Sequence, residues 1–202
     1  TVPNYFDIND AVFHHNFVEF TAGTDQRAKN TYPYSFCTAG SKWRWRLDDA
    51  DTIFPIDNQG QDRKPYWCEM HDYYDNGQPI WNGETSVFWN LLEQAFSAEI
   101  TAGMRKMFAA MESLCGQSSG TPYDKAYAFY KKYYLGIKEY FPATLVNSDA
   151  KRYELAKIAY DNDSYSNDTD PITQSHGDFY SAETAWMKKR IMYIMSKYNY
   201  GL

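Results

Sequence analysis

Residues 31–47 read TYPYSFCTAGSKWRWRL and carry the clearest structural signal in the chain. The first six are rich in residues that favour β-strands, and residues 38–41 are turn formers. Residues 42–47 alternate strictly between basic and apolar side chains, which is typical of a strand with one buried face. The pattern predicts a β-hairpin with arms 31–36 and 42–47.

Helices are predicted on both sides of this hairpin. Before it, residues 10–22 have Asp10 as an N-cap and bring Phe13, Phe17 and Phe20 to one helical face, which predicts a buried stripe. After it, apolar spacing and capping residues predict helices at 86–96 after Ser86, at 97–114, at 122–140 after Thr121, at 149–160 after Ser148, and from the Ser181 cap onward. The chain is therefore predicted to be mainly α with a small β-hairpin, an α+β arrangement.

A single domain is predicted to span residues 1–202, an ordinary length for one hydrophobic core. Within it, residues 1–60 contain the first helix, the hairpin and an acidic segment, and residues 84–202 form the helical part. Residues 48–83 are rich in Asp, Asn, Gly and Pro and predict a long loop, and the polar run 161–170 predicts a mobile surface loop. Because the chain lacks an initiator Met, we expect it to be a fragment of a larger protein.

Composition argues against several classes of protein. The net charge is −6 and the basic residues are scattered, so no nucleic-acid partner is expected. No window holds the roughly 18 apolar residues that a membrane span needs, and the first residues do not form a signal peptide. The cysteines Cys37, Cys68 and Cys115 are odd in number and lack a CxxC motif, so neither a disulfide framework nor a zinc site is predicted. We expect Cys115 in the core.

Acidic and amide side chains occur in an order that suits phosphoryl transfer. In protein kinases an Asp that orients the acceptor and an Asn that binds metal are spaced Asp-x4-Asn, and a second metal-binding Asp comes later in the chain. Here Asp25 and Asn30 follow the first predicted helix, and Asp48, Asp49 and Asp51 follow the hairpin. Because an antiparallel hairpin brings its two ends together, we expect Asn30 to lie near Asp49. Oxygen ligands there would suit Mg²⁺.

These residues resemble the pattern of the spore-coat CotH kinase family. The resemblance is carried by residues 6–10 (FDIND), 23–25 (GTD), 30–32 (NTY), 42–43 (KW) and 49–51 (DAD). It implies a helical bundle like the C-terminal lobe of a kinase, with Asp25 as the catalytic residue and Asn30, Asp49 and the adjacent Asp51 as Mg²⁺ ligands. Kinases also need an N-terminal lobe that holds the nucleotide, and nothing before Asp7 supplies one. Either another chain completes the site or the lobe no longer acts as a kinase.

A second resemblance extends over most of the chain. It is carried by residues 49–52 (DADT), 56–60 (IDNQG), 82–83 (NG), 86–90 (SVFWN), Arg190 and 192–198 (MYIMSKY). These segments are similar to large tail proteins of short-tailed and crAss-like phages of gut Bacteroidetes. The resemblance implies a structural component of the virion, in the tail or its distal muzzle, that contacts other virion proteins or other segments of its own polypeptide in an oligomeric assembly. It implies no established enzyme activity.

The acidic and amide residues also have a purely structural interpretation. Asp25 and Asn30 are residue types that stabilise turns through hydrogen bonds from side chain to backbone. Asp49 and its acidic neighbours would then form ion pairs with Arg44 and Arg46. Both interpretations stay open at the level of the sequence.

The function that we expect is a structural packing module of a phage tail, derived from a CotH kinase-like lobe. One alternative is a Mg²⁺/ATP-dependent protein phosphotransferase that uses Asp25, Asn30 and Asp49. The other is a glycan-binding tail module in which exposed Tyr and Trp side chains of residues 64–81 stack on sugar rings.

Overall fold

The computed structural model of the chain describes residues 2–23, 26–28, 30–48, 53–55, 64–69, 73–75, 78–80, 86–140 and 179–201. Its helices are α1 (Val2–Tyr5), α2 (Ile8–Thr21), α3 (Val87–Ala95), α4 (Ser97–Leu114), α5 (Pro122–Tyr133), a 3-10 helix (Leu135–Glu139) and α6 (Phe179–Lys197). Its strands are β1 (Thr31–Tyr34), β2 (Arg44–Leu47), β3 (Tyr73–Asp75) and β4 (Gln78–Ile80). The prediction of a mainly α chain with a small β-hairpin is confirmed. The predicted helix 149–160 and the predicted loop 161–170 lie outside the described residues.

Helices α2, α4, α5 and α6 pack around the hydrophobic core. Met104 and Phe108 of α4 and Ile191 of α6 are fully buried, and each such side chain stabilises the fold by about 2 to 3 kcal/mol. Phe20 of α2 meets the Phe108 ring edge-on, with 5.9 Å between the ring centroids. Among the described helices, none combines the length and the apolar character that crossing a bilayer requires.

Strands β1 and β2 form the predicted hairpin, with Thr31 opposite Leu47 at the open end. The Trp45 side chain is buried, and its ring lies 5.3 Å from that of Phe6 and 4.5 Å from that of Phe88 between centroids. One face of the hairpin is therefore packed against residues before α2 and within α3, and the side chains that alternate with Trp45 face outward.

The N-cap of α2 is Asp7, and the predicted cap Asp10 lies inside the helix. The Asp7 carboxylate accepts the backbone N–H of Asp10 at 3.3 Å, which satisfies one donor of the first turn. The Asp10 carboxylate instead accepts the backbone N–H of Trp45 at 2.6 Å. Asp10 thus connects α2 to the hairpin, a role that its local sequence does not reveal.

Helix α2 is surrounded by other elements, and the set of residues that it buries differs from the predicted aromatic stripe. Phe13 is 53% exposed, whereas His14, His15 and Asn16 are buried. The Asn16 side chain donates to the carbonyl oxygen of Ile100 at 2.9 Å, so this buried amide has a hydrogen-bond partner. Polar residues occupy the buried side of α2 because α3, α4 and the following loop supply their partners.

Two helix boundaries and one pair of strands also differ from the prediction. Helix α5 ends at Tyr133 and continues as a 3-10 helix that contains Gly136, a residue of low helix propensity. Helix α6 begins at Phe179, so Ser181 lies inside the helix instead of capping it. The antiparallel pair β3 and β4 occurs within the predicted long loop. Cys115 is buried, as expected.

Candidate functional site

The loop that follows α2 is connected to three elements through Gln26. Its carbonyl oxygen lies 2.9 Å from His14 Nε2 of α2 and accepts the Thr31 hydroxyl of β1 at 2.7 Å. Its side-chain amide donates to the carbonyl oxygen of Asp48, just after β2, at 2.8 Å. The middle of α2 and both ends of the hairpin are therefore connected through one residue.

Asn30 lies directly before β1 and is 8% exposed. Because Thr31 is paired with Leu47, the next residues outward, Asn30 and Asp48, stand at the same end of the hairpin. The pairing thus places Asn30 at the end of the hairpin where the acidic segment begins. Asp25, Asp49 and Asp51 lie outside the described residues, so the metal site itself stays a prediction.

The ion pairs of the hairpin agree in part with the structural interpretation of the acidic segment. Arg46 lies 4.0 Å from Asp48, and both side chains are well exposed, which makes this a weak pair. Arg44 pairs with Asp7 at 3.1 Å, and its position relative to Asp49 and Asp51 lies outside the described residues. Within the described ranges, no group of three His, Cys, Asp or Glu side chains is arranged to hold a metal ion.

Two stacked rings, one from α2 and one from α3, hold the loop that follows α2 in place. The His14 ring stacks on the Trp89 ring at 5.3 Å with 14° between their planes, and the Trp89 indole N–H donates to the carbonyl oxygen of Arg27 at 3.1 Å. Burial lowers the pKa of His14, which keeps the ring neutral. Since its Nε2 faces a carbonyl oxygen, Nε2 must carry the proton. The Arg27 side chain is buried and pairs with Glu93 at 3.1 Å.

Sequence reasoning missed Gln26, His14 and Trp89 as residues that position this loop. Their partners are backbone carbonyl oxygens, which leave no pattern of side-chain types along the chain. The only local signal is that Gln26 lies inside the Asp-x4-Asn spacing, between Asp25 and Asn30.

A second polar cluster lies between α2 and α6, at a cavity of about 230 Å³. Glu19 is 2% exposed and its carboxylate pairs with the Lys197 ammonium at 2.7 Å. Lys197 also pairs with Glu69, which accepts the Tyr193 hydroxyl. Burial opposes the ionisation of Glu69, but hydrogen bonds from Lys197 and Tyr193 outweigh it and lower its pKa. The three carboxylates at the cavity, Glu19, Glu69 and Glu93, are thus each paired with cations, which indicates a structural network.

The outward side of the hairpin carries exposed aromatic and basic side chains. Tyr32 stands opposite Arg46, and Tyr34 stands opposite Arg44. Tyr32 and Tyr34 are 48% and 38% exposed, and both arginines are exposed as well. We call these four residues the aromatic-basic face. Phe36, 70% exposed, lies just beyond it in the hairpin loop.

Compared with protein-family models, with curated proteins and with solved structures, the chain matches none of them. The resemblances to CotH kinases and to phage tail proteins therefore stay predictions. The observations that bear on function are the geometry of the loop at Gln26 and the aromatic-basic face of the hairpin.

Proposed function

We propose that this chain is a structural module that makes protein contacts in a larger assembly, and the resemblance of its sequence favours a phage tail as that assembly. The observation that supports this proposal is the aromatic-basic face. Tyr and Arg are enriched in protein interfaces and at the positions that dominate binding energy. A cluster of large aromatic side chains that stays exposed on a folded chain is typical of an interaction site.

The hairpin is a preorganised contact surface. Its inner side chain Trp45 is packed on Phe6 and Phe88, and Asp10 accepts the backbone N–H of Trp45. The strands are therefore ordered before a partner arrives, so binding loses less conformational entropy than it would with a disordered segment.

The charge of the hairpin indicates the kind of partner surface. Residues 30–47 contain Lys42, Arg44 and Arg46 and no acidic residue, so their charge is +3. The whole chain has a charge of −6, and subtracting +3 from −6 leaves −9 for the other residues. A basic hairpin on an acidic chain fits an acidic partner surface, including that of a second copy.

Sedimentation of the purified chain tests this proposal. We expect concentration-dependent association of the wild type, and we expect the double variant Tyr32→Ser/Tyr34→Ser to stay monomeric with an unchanged melting temperature. Tyr140→Ser is the matched control, because Tyr140 is 76% exposed but lies outside the hairpin.

A second experiment uses intact phage particles that contain this chain. Cys37 in the hairpin loop is exposed, whereas Cys68 and Cys115 are buried, so a thiol-directed photocrosslinker should attach at Cys37. In intact particles it should join this chain to a neighbouring protein or a second copy. A wild type that stays monomeric and gives no crosslink in particles would contradict the proposal.

The second candidate function is a Mg²⁺/ATP-dependent phosphotransferase of CotH type. It is supported by the contacts at Gln26, which bring the loop that ends at Asn30 to the start of the acidic segment. In this proposal Asp25 orients the acceptor, and Asn30 and Asp49, with Asp51 adjacent, bind Mg²⁺.

Thermal melts in Mg²⁺ or Mn²⁺ test the second candidate. Ionised carboxylates at Asp49 and its neighbours repel one another, so a bound divalent ion should raise the melting temperature by mass action. Asp49→Ala should abolish this rise, and the control Asp163→Ala should retain it. Nucleotide should add a further rise only when an N-terminal lobe is supplied. Absence of any metal response with that lobe present would contradict the candidate.

The glycan-binding alternative also stays a prediction. Tyr66 and Trp67 are 37% and 45% exposed, as this alternative requires. Two adjacent exposed rings are a weaker observation than the aromatic-basic face, so we rank glycan binding below protein contact.

A further inference from the structure

An apolar cavity of about 250 Å³ lies where α2, α4, α5 and α6 meet. Phe20, Phe54 and Met111 form its floor, together with Ala126 and Met187, and all five side chains are at most 9% exposed. Thr21, Tyr130 and Tyr134 also line the cavity, but the described residues present only apolar atoms to it, so they offer no hydrogen-bond partner that would hold an ordered water there.

The opening of the cavity is also apolar. Phe17, Met107 and Phe129 line it and are partly buried, and Tyr133, also in the lining, is 52% exposed. The gradient from exposed rim to buried floor gives the cavity a route to solvent, which a closed packing void lacks.

Size and lining decide what the cavity can hold. Protein interiors are normally packed without voids much larger than a water molecule, and an apolar cavity of about 150 Å³ suffices to bind benzene. Sites for drug-sized ligands begin at about 300 Å³. A cavity of about 250 Å³ therefore suits a molecule of one ring or slightly more. The walls exclude a charged ligand, because the described residues present no polar atom to the cavity that would compensate for its lost hydration.

We infer that this cavity is a binding site for a small, neutral, apolar molecule of about the size of a single aromatic ring. The flexible thioethers of Met111 and Met187 adapt to the ligand, and the rings of Phe20 and Phe54 contact it edge-on or in offset stacks. The site is separate from the aromatic-basic face and from the loop at Gln26, and it does not depend on either proposed function.

Thermal melts of the whole chain with a series of probes test this inference. Benzene and indole should raise the melting temperature saturably. Benzoate should not, because it is charged, and pyrene should not, because it exceeds the cavity. Ala126→Met fills the floor, so it should retain the fold and lose the response to benzene. Ala109→Met on the exposed side of α4 is the control and should retain the response.

A measurement on the wild type keeps the test independent of variant folding. With ¹³C-methyl-labelled methionines, benzene protons should show nuclear Overhauser effects to Met111 and Met187, and none to the exposed Met192. The inference is overturned if no probe shifts the melt, if Ala126→Met still responds, or if Met192 shows the same contacts as Met187.

Discussion

At the scale of single residues, Arg190 makes the largest set of buried polar contacts among the described residues. Its guanidinium is fully buried and donates to four backbone carbonyl oxygens: Glu19, Phe20 at 3.3 Å, Tyr66 at 2.7 Å and Cys68 at 2.5 Å. The planar fork of five N–H donors is the only side chain that reaches so many acceptors. Burial lowers the pKa of Arg190, while the nearby Glu19 favours the charged form.

Replacing Arg190 should destabilise the fold. We expect Arg190→Met to lower the free energy of unfolding by about 3 kcal/mol or more, because several buried carbonyl oxygens lose their donor. Lys189→Met is the control and should cost about 1 kcal/mol at most, since Lys189 is exposed and its contact among the described residues is a cation–π contact with Tyr66. Urea unfolding measures both, and equal losses would show that the Arg190 network is not the cause.

Glu183 is a buried carboxyl that should make stability depend on pH. It is 1% exposed, and its Oε2 has no partner among the described residues. Burial raises its pKa to about 7, although a hydrogen bond with Tyr134 opposes the shift. Below its ordinary pKa of 4.5 the carboxyl is protonated in both states, so stability is then fully present. As pH rises toward 7 the unfolded chain ionises first, and the free energy of unfolding falls by about 3 kcal/mol.

The variant Glu183→Gln removes this titration while keeping the shape of the side chain. It should be about as stable as the wild type at pH 4 and more stable by roughly 3 kcal/mol at pH 8. Urea unfolding at several pH values measures the difference. Glu99→Gln, at an exposed position, is the control, and its free energy of unfolding should change with pH in the same way as that of the wild type. The same result for Glu183→Gln would contradict the proposal that the buried Glu183 makes stability depend on pH.

At the scale of elements, the contact between α2 and α4 depends on Gly103. A Cβ at this position would lie 2.7 Å from both Val12 Cγ1 and Asn16 Nδ2, closer than packed atoms approach. Gly103→Ala gains about 1 kcal/mol of helix propensity but forces the helices apart, which costs about 1 to 3 kcal/mol. We expect net destabilisation. Gly136→Ala, where no neighbour lies within 4 Å, should be neutral or stabilising in the same thermal melts.

The hairpin and the helices α2 to α5 could be predicted because their signals are local. Alternation in residues 42–47 indicates a strand whatever it packs against, and Thr121 and Pro122 form a helix start that the structure confirms. The choice of Asp7 over Asp10 as a cap could not be predicted, because it depends on the N–H of Trp45, thirty-five residues away from Asp10.

The candidate site was predictable only in outline. The order of helix, loop and hairpin follows from the sequence, and so does the position of Asn30 near the end of β2. The contacts of Gln26 and Trp89 with backbone carbonyl oxygens depend on tertiary packing, which residue types alone do not encode. The exposure of Phe13 was also missed, since helical spacing identifies a face but not what covers it.

At the scale of the whole molecule, the opposite charges of the hairpin and the remaining chain should make association sensitive to salt. Exposed charges are screened within about 8 Å at physiological ionic strength, so dissociation should increase when NaCl is raised from 0.05 to about 0.5 M. Arg46→Gln should weaken association at low salt and reduce its salt dependence. Lys131→Gln, on the exposed side of α5, should do neither. Sedimentation measures these changes, and association that strengthens with salt would indicate an apolar contact instead.

The contacts of Arg190 also have a consequence for how the chain is made. Arg190 is synthesised 171 residues after Glu19, whose carbonyl oxygen accepts one of its N–H groups. At about 5 to 20 residues per second, that interval lasts roughly 10 to 30 seconds. During this time α2 has been released from the ribosome without its α6 partners, and its apolar side chains are open to chaperones and to other nascent chains. Among the described helices, the first long one to be synthesised thus obtains its buried hydrogen-bond donor from the last one, so its packing has to wait until α6 has also left the ribosome.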